Sequence, residues 1–156
     1  SQPGHLTTLY NFAGLMKNVR HEYDEAEDLY KRVLQLQPKD VGALCNYGSL
    51  LYEVRKEAVL AERVYKHALS IDPGDGAVLC NYALLLNHDR KDYDAAQFMY
   101  QMALHHEPND PTSLSNYALF LQTVRHDYVR AEALYKMALD LDGGLVHAIC
   151  NYASLL

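Results

Sequence analysis

The sequence lacks the features that would place it on a nucleic acid or in a membrane. Its 14 Lys and Arg residues are scattered, and the formal net charge is -6. A nucleic-acid surface needs clustered cations against phosphate, so we expect no nucleic-acid partner. The uninterrupted apolar runs are only a few residues long, whereas a helix that spans a bilayer needs about 20 apolar residues. We therefore expect no membrane segment.

Cysteine is scarce, and its placement argues against a disulfide and a metal site. Cys45, Cys80 and Cys150 each stand directly before an Asn, in register with a repeated pattern. Equivalent helices in a stack lie at least ~8–10 Å apart, which exceeds the ~7 Å between Cα atoms that a disulfide allows. The same distance excludes a shared metal ion, and no His pairs with a Cys at a metal-type spacing. We expect reduced thiols, no metal, no cofactor, and a reducing, cytoplasmic location.

Catalytic motifs are also missing. The sequence contains no Gly-rich phosphate loop, no HExxH and no GxSxG. Its acidic residues are scattered on polar helix faces, where solvation or pairing with Lys or Arg four residues away explains them. We therefore predict that the chain is not an enzyme.

One dipeptide, Asn followed by an aromatic residue, recurs every 35 residues. It begins at Asn11, Asn46, Asn81, Asn116 and Asn151. A fixed period of this length is typical of a repeat array, in which one unit cannot bury its apolar face alone and stacks on its neighbours. We predict a single array with four repeats at about 5–39, 40–74, 75–109 and 110–144, and a half repeat at about 145–156.

Each unit has the pattern of two helices. Apolar residues of the third unit recur with the spacing of one helix face, at Leu79, Tyr82, Ala83 and Leu86. A second helix follows and is closed by a Pro, or by a Gly in the fourth unit. An Asp two residues later is expected to cap the next first helix. These Asp residues are Asp40, Asp75 and Asp110, whereas Leu145 takes the place in the half repeat.

The columns of small and aromatic residues resemble the tetratricopeptide repeat. In the second unit the matching residues are Gly48, Ala61, Tyr65, Ala68 and Pro73. The period is 35 residues rather than 34, with the extra residue in the bend between the paired helices, and Leu or Ile stands where the family has Trp. The resemblance covers nearly the whole chain. It implies an all-α, right-handed α-solenoid of stacked helix–turn–helix repeats, whose first helices line a concave groove that usually holds a peptide or a partner segment.

The Asn column is the main functional candidate. A carboxamide has one acceptor and two N–H donors, which match the C=O and N–H groups of a peptide backbone. A row of them could bind an extended segment with little regard to its sequence. The column is similar to the asparagine ladder of O-linked N-acetylglucosamine transferase and of kinesin light chain. A structural explanation stays equally open, in which each Asn bonds to a carbonyl of its own or the preceding repeat.

Small and neutral side chains surround this column. The chaperone-binding members of the family carry Lys and Arg here, and their absence argues against binding of heat-shock chaperone tails. The two thiols in this set are expected to be packing residues rather than nucleophiles. The predicted peptide-binding set is Asn11, Asn46, Asn81, Asn116, Asn151, Tyr10, Cys45, Cys80, Ser115, Ser49, Tyr52, Asn87 and Gln122.

An arginine also recurs with the period, in the bend between the paired helices. We expect a structural hydrogen bond or ion pair that holds the bend, for instance with a Glu one turn into the second helix. The arginines are Arg20, Arg55, Arg90 and Arg125, and the candidate partners are Glu27, Glu62 and Glu132.

These patterns predict a protein-interaction scaffold that binds a peptide or an extended partner segment in a concave groove. One alternative is a structural spacer that self-assembles through its open ends, and another is the substrate-recruiting arm of a larger enzyme. The last helix ends at Ser154, Leu155 and Leu156 with no second helix to cover it. We therefore expect a fragment of a longer array, with contact between chains through this end.

Overall fold

The computed structural model describes residues 22–156, which form an all-α chain. The predictions for Tyr10, Asn11 and Arg20 lie outside the described residues. No helix of the described part combines the length and apolar character needed to cross a membrane. The helices are α1 (Tyr23–Leu36), α2 (Val41–Glu53), α3 (Ala58–Ile71), α4 (Gly76–Leu85), α5 (Tyr93–His106), α6 (Pro111–Phe120), α7 (Tyr128–Leu141) and α8 (Val146–Leu155).

The chain divides into two compact units, one ending at Pro73 and the other spanning Gly74–Leu156. The first contains α1 to α3 and the second contains α4 to α8. In each unit the main contacts are between consecutive helices, in the pairs α2 with α3, α4 with α5, and α6 with α7. This is the stacked helix–turn–helix architecture that the 35-residue period predicts.

Aspartates cap the first helices, as predicted. Asp40, Asp75 and Asp110 accept hydrogen bonds from backbone N–H groups three residues later, at 2.8, 2.9 and 2.7 Å. Each bond satisfies one of the N–H groups that a helix start leaves without a partner. Leu145 offers α8 no side-chain cap, so this helix begins less firmly than its equivalents.

A small residue lets the first helix approach a buried tyrosine of the second. A Cβ atom added to Gly48 of α2 would lie 2.5 Å from Cε1 of Tyr65 on α3, closer than real Cβ contacts allow. The equivalent small residues of the second unit, Ala83 and Ala118, are fully buried. The ring of Tyr65 is buried between Ala61 and Ala68, one turn away on either side.

Two of the bends between paired helices begin with a wide helical turn. The first helices of the third and fourth repeats run into π-helical turns, Leu86–Arg90 and Leu121–Arg125, in which each hydrogen bond spans one residue more than in an α-helix. A residue in left-handed conformation then ends each turn, with φ of 55° at Lys91 and 56° at His126. Lys56 has φ of 60° at the matching place of the second repeat. A side chain in this conformation costs roughly 1–2 kcal/mol, so packing around the bends must hold it.

The recurring arginine bonds to a different helix from the one expected. Arg55 donates from Nε to Oε2 of Glu27 at 2.8 Å and also pairs with Asp24. Both partners lie at the start of α1, in the preceding repeat. In the fourth repeat, Arg125 donates to Gln97 at 2.7 Å and pairs with Asp94, on α5.

These two arginines therefore make the expected polar contacts. The prediction that such a contact lies within one bend is wrong for both of them. An arginine at the end of a first helix reaches the start of the preceding second helix, so it ties neighbouring repeats together. Lys31 and Arg55 together hold the pKa of Glu27 below its usual value, since both cations favour the ionised carboxylate.

Replacing Gly48 with Val is expected to lower the free energy of unfolding by about 1–3 kcal/mol, because the added carbons overlap the Tyr65 ring. Urea unfolding followed by far-UV circular dichroism measures the change. Ala77→Val, at an exposed position of α4, is the matched control for the helix cost of a β-branched residue. If Gly48→Val and the control unfold at the same urea concentration, the close approach to Tyr65 does not contribute to stability.

Candidate functional site

The described members of the Asn column occupy equivalent places but differ in their partners. Asn46, Asn81, Asn116 and Asn151 each stand at the sixth residue of a first helix, α2, α4, α6 and α8, and all are half-buried. Asn46 and Asn81 each have an interaction partner in the chain. The Asn116 carboxamide makes no hydrogen bond to any of residues 22–156. The Asn151 carboxamide likewise makes none, since the bond recorded at Asn151 is one that its backbone carbonyl accepts from Ser154. Asn116, in addition, borders a cavity.

A cavity of about 240 Å³ lies beside Asn116, in the unit spanning Gly74–Leu156. The residues that line it come from α4, α5 and α6 and from the π-helical turns that follow α4 and α6. We call it the amide cavity, because two carboxamides border it. Its lining residues are Leu84, Asn87, His88, Tyr100, Asn116, Leu119, Phe120 and Thr123.

Two of the predicted binding residues meet at this cavity. Asn87 was expected beyond the Asn column on the binding face, and it lies here with Asn116. Asn87 is only 8% exposed, and its carboxamide also lacks a hydrogen bond to another described residue.

The aromatic side of the amide cavity was missed at the level of sequence. Tyr100 and Phe120 are buried, and their ring centroids are 5.4 Å apart. Tyr117 stacks on Tyr100 with centroids 5.7 Å apart. Such clusters hold their rings in fixed places. Tyr100 belongs to the aromatic column of the second helices. The recurrence of that column indicates core packing, and it does not indicate that one member also borders a cavity.

Ionised side chains are absent from the lining of the amide cavity. None of its eight lining residues is Asp, Glu, Lys or Arg, and only His88 and Tyr100 carry a titratable group. The hydroxyl of Thr123 donates to the backbone carbonyl of Leu119 at 2.7 Å. The polar groups that remain for a ligand are therefore mainly the two carboxamides.

The residues directly before the column lie beneath the face rather than on it. Cys45, Cys80 and Ser115 are buried, and the Cys80 thiol donates to the Ser113 hydroxyl at 3.2 Å. A residue next to Asn on a helix points about 100° away from it, toward the neighbouring helix. The burial of these three side chains fits a packing role, and their part in binding stays a prediction. All three cysteines, including the exposed Cys150, are free thiols.

The other predicted residues are engaged within the chain. Ser49 is buried and its hydroxyl is 3.3 Å from that of Tyr65, while Tyr52 is half-buried and has a partner. Gln122 accepts from the Tyr135 hydroxyl at 3.0 Å and donates to that of Ser154 at 3.3 Å. Both ends of its amide are thus used to join α7 and α8 to the turn after α6. In the part of the chain that the structure describes, no group of three or more His, Cys, Asp or Glu residues could hold a metal ion.

Solved structures identify the fold. PilF of Pseudomonas aeruginosa matches with a TM-score of 0.81 and 20% identity, over 97% of this chain and 67% of its own. A tetratricopeptide repeat protein from Parabacteroides merdae matches with a TM-score of 0.69 and 20% identity, over 96% and 58%. YrrB, a tetratricopeptide repeat protein with an unusual peptide-binding site, matches with a TM-score of 0.68 and 16% identity, over 97% and 75%.

These similarities confirm the tetratricopeptide-repeat fold that the sequence columns predict. No protein-family model matches the sequence, and no curated protein is significantly similar to it. The chain spans little more than half of the P. merdae protein.

Burial raises the pKa of Tyr135 to about 12, and that of Tyr65 is raised as well. A tyrosine is neutral below its pKa, so folding is favoured by these groups below pH ~10, the pKa of an unfolded tyrosine. We expect the free energy of unfolding to fall as the pH rises from about 10 to 12. Urea unfolding at a series of pH values, with tyrosinate absorbance as a second signal, measures this. Tyr135→Phe should weaken the pH dependence, whereas Tyr128→Phe, at an exposed position, should leave it unchanged.

Proposed function

We propose that the chain is a scaffold that binds an extended segment of a partner protein, with the Asn116 carboxamide bonded to the backbone of that segment. The observation that carries the proposal is the half-exposed amide of Asn116, which borders a cavity and has no hydrogen bond to the described residues. An extended chain presents alternating N–H and C=O groups, and one carboxamide can bond to both.

The interactions of the equivalent residues support this assignment for Asn116 over Asn46 and Asn81. Asn46 and Asn81 each have a partner within the chain, which supports a structural role for those two residues. Asn116 stands at the same place in its helix without such a bond. The column therefore serves both purposes in this proposal, with different members stabilising the array and binding the partner.

The lining of the amide cavity also indicates how a partner segment would be held. The lining of the amide cavity contains no ionised residue, so the partner is held by hydrogen bonds and apolar contact rather than by ion pairs. Such binding depends weakly on ionic strength. YrrB has a peptide-binding site on the same fold, which supports a peptide as the class of partner. The free thiols fit a reducing compartment, and we propose the cytoplasm as the location.

Asn116→Ala is expected to weaken binding of an extended peptide about tenfold, since two hydrogen bonds of ~0.5–1.5 kcal/mol each are lost. The ligands would be peptides selected by the wild-type chain from a displayed library of random sequences. Affinities of the selected peptides, measured by isothermal titration calorimetry, give the change. The melting temperature should stay close to the wild-type value, because no intramolecular bond is removed.

Asn109→Ala provides a matched control, because it removes the same carboxamide from an exposed turn before α6. Asn81→Ala provides the contrast, since that residue has a partner in the chain and should lower the melting temperature. The proposal fails if the selected peptides bind Asn116→Ala as tightly as the wild type, or if no peptide is selected.

A second candidate function is self-assembly through α8. It is supported by one apolar position that is exposed on α8 and buried on the other first helices. Leu44, Leu79 and Leu114 are 5%, 3% and 1% exposed on the interior first helices, whereas Ile149 at the same place of α8 is 45% exposed. Val146 and Leu156 are exposed with it. We propose that a second copy of the chain covers this face, because α8 carries no Asp, Glu, Lys or Arg and two copies would meet without charge repulsion.

Replacing Val146 and Ile149 together with Gln should shift a concentration-dependent dimer to monomer in size-exclusion chromatography with light scattering. The expected cause is loss of apolar burial between copies. Met137→Gln removes an exposed apolar residue from α7 and should leave the dimer intact. A wild-type chain that stays monomeric at every concentration would reject self-assembly.

A further inference from the structure

We infer, on the basis of the proposed function, that the amide cavity is a specificity pocket for one uncharged, aromatic-sized side chain of the bound segment. The Asn column explains how a backbone could be held and gives no preference for any sequence. The cavity beside Asn116 adds that preference at one position of the segment.

The size of the cavity suits a single large side chain. At about 240 Å³ the cavity is smaller than the pockets of about 300–1,000 Å³ that hold drug-sized ligands, so it has room for one side chain and not for a longer segment. A small side chain such as Ala would leave most of the cavity unfilled and would forfeit the contacts with its walls.

The walls present apolar surface to such a side chain. Leu84 and Leu119 are half-buried and stand at equivalent places of α4 and α6. Tyr100 and Phe120 add two rings whose planes are inclined by 46°. They are only 1% and 2% exposed, so they support the cavity and contribute little surface of their own. Because these rings also pack against each other, the pocket is already formed without a ligand.

The same walls exclude charged side chains. The lining contains no Asp or Glu to pair with an ammonium or guanidinium group, and no Lys or Arg to pair with a carboxylate. An ion that enters such a cavity loses water without gaining a counter-ion, which is costly. The pocket therefore selects against Asp, Glu, Lys and Arg at the anchor position.

The two carboxamides fix where the anchor residue lies along the segment. Asn87 and Asn116 border the same cavity, from the turn after α4 and from the middle of α6. A backbone bonded to Asn116 has the side chain of that residue, or of its neighbour, at the mouth of the cavity. The preference should thus appear at one position relative to the Asn116 contact and not along the whole segment.

Sequencing of the peptides that the wild-type chain selects tests this inference. We expect one position to be enriched in Phe, Tyr, Leu and Met and depleted of the four charged residues. Replacing that anchor with Ala should weaken binding at least tenfold, in the range found for apolar pockets. Leu119→Trp places a large ring in the cavity and should weaken the anchored peptide at least tenfold, yet leave the affinity of the Ala-substituted peptide nearly unchanged.

Leu119→Met is the matched control, because it conserves volume and apolar character and should keep the preference. Leu84→Trp fills the cavity from the other first helix and replaces Leu119→Trp if that variant does not fold by circular dichroism. Peptides that need Asn116 but show no preferred apolar position, or that bind both filled variants unchanged, would overturn the pocket and leave the scaffold function standing. If no selected peptide depends on Asn116, the scaffold function fails and the pocket fails with it.

Discussion

Close packing between a small residue on one helix and a buried tyrosine on its partner is the constraint on which the array depends. Gly48 meets Tyr65 with no room for a Cβ atom, and fully buried alanines take the same place in the other unit. This contact sets how near the paired helices lie, and therefore which side chains of the first helix are covered. Cys45, Cys80 and Ser115, which directly precede column residues, are buried, while the Asn residues that follow them are half-buried.

The same constraint explains why equivalent residues of the array can have different roles. A repeat array places matching side chains in matching backbone positions, but the neighbours that fill the space around them differ. Asn116 lies next to Leu119 and Leu84, which cannot bond to an amide, and so its donors and acceptor remain available. In the proposed function, divergence of a few side chains turns one member of the column into a binding group without changing the backbone.

The helix pairs and their caps could be predicted from sequence, because both follow from local chemistry repeated at a fixed spacing. Asp110 caps α6 as its position before Pro111 indicates. The amide cavity could not be predicted, because it depends on how rings such as Tyr100 and Phe120 pack across helices. The partner of Arg125 was missed for a similar reason, since periodicity gives the residue a place in its own repeat and says nothing about which neighbour it faces.

The arginine contacts have a mechanical consequence for the array. Arg55 and Arg125 join neighbouring repeats at the edge where the bends lie, and their carboxylate partners Asp24 and Asp94 are highly exposed. Dissolved salt weakens exposed ion pairs but hardly affects buried ring and methyl contacts. Two neighbouring repeats joined in this way are therefore held by an apolar interface that salt hardly affects and by an ion pair that salt weakens. The stiffness of the array along the edge of the bends should fall as the ionic strength rises.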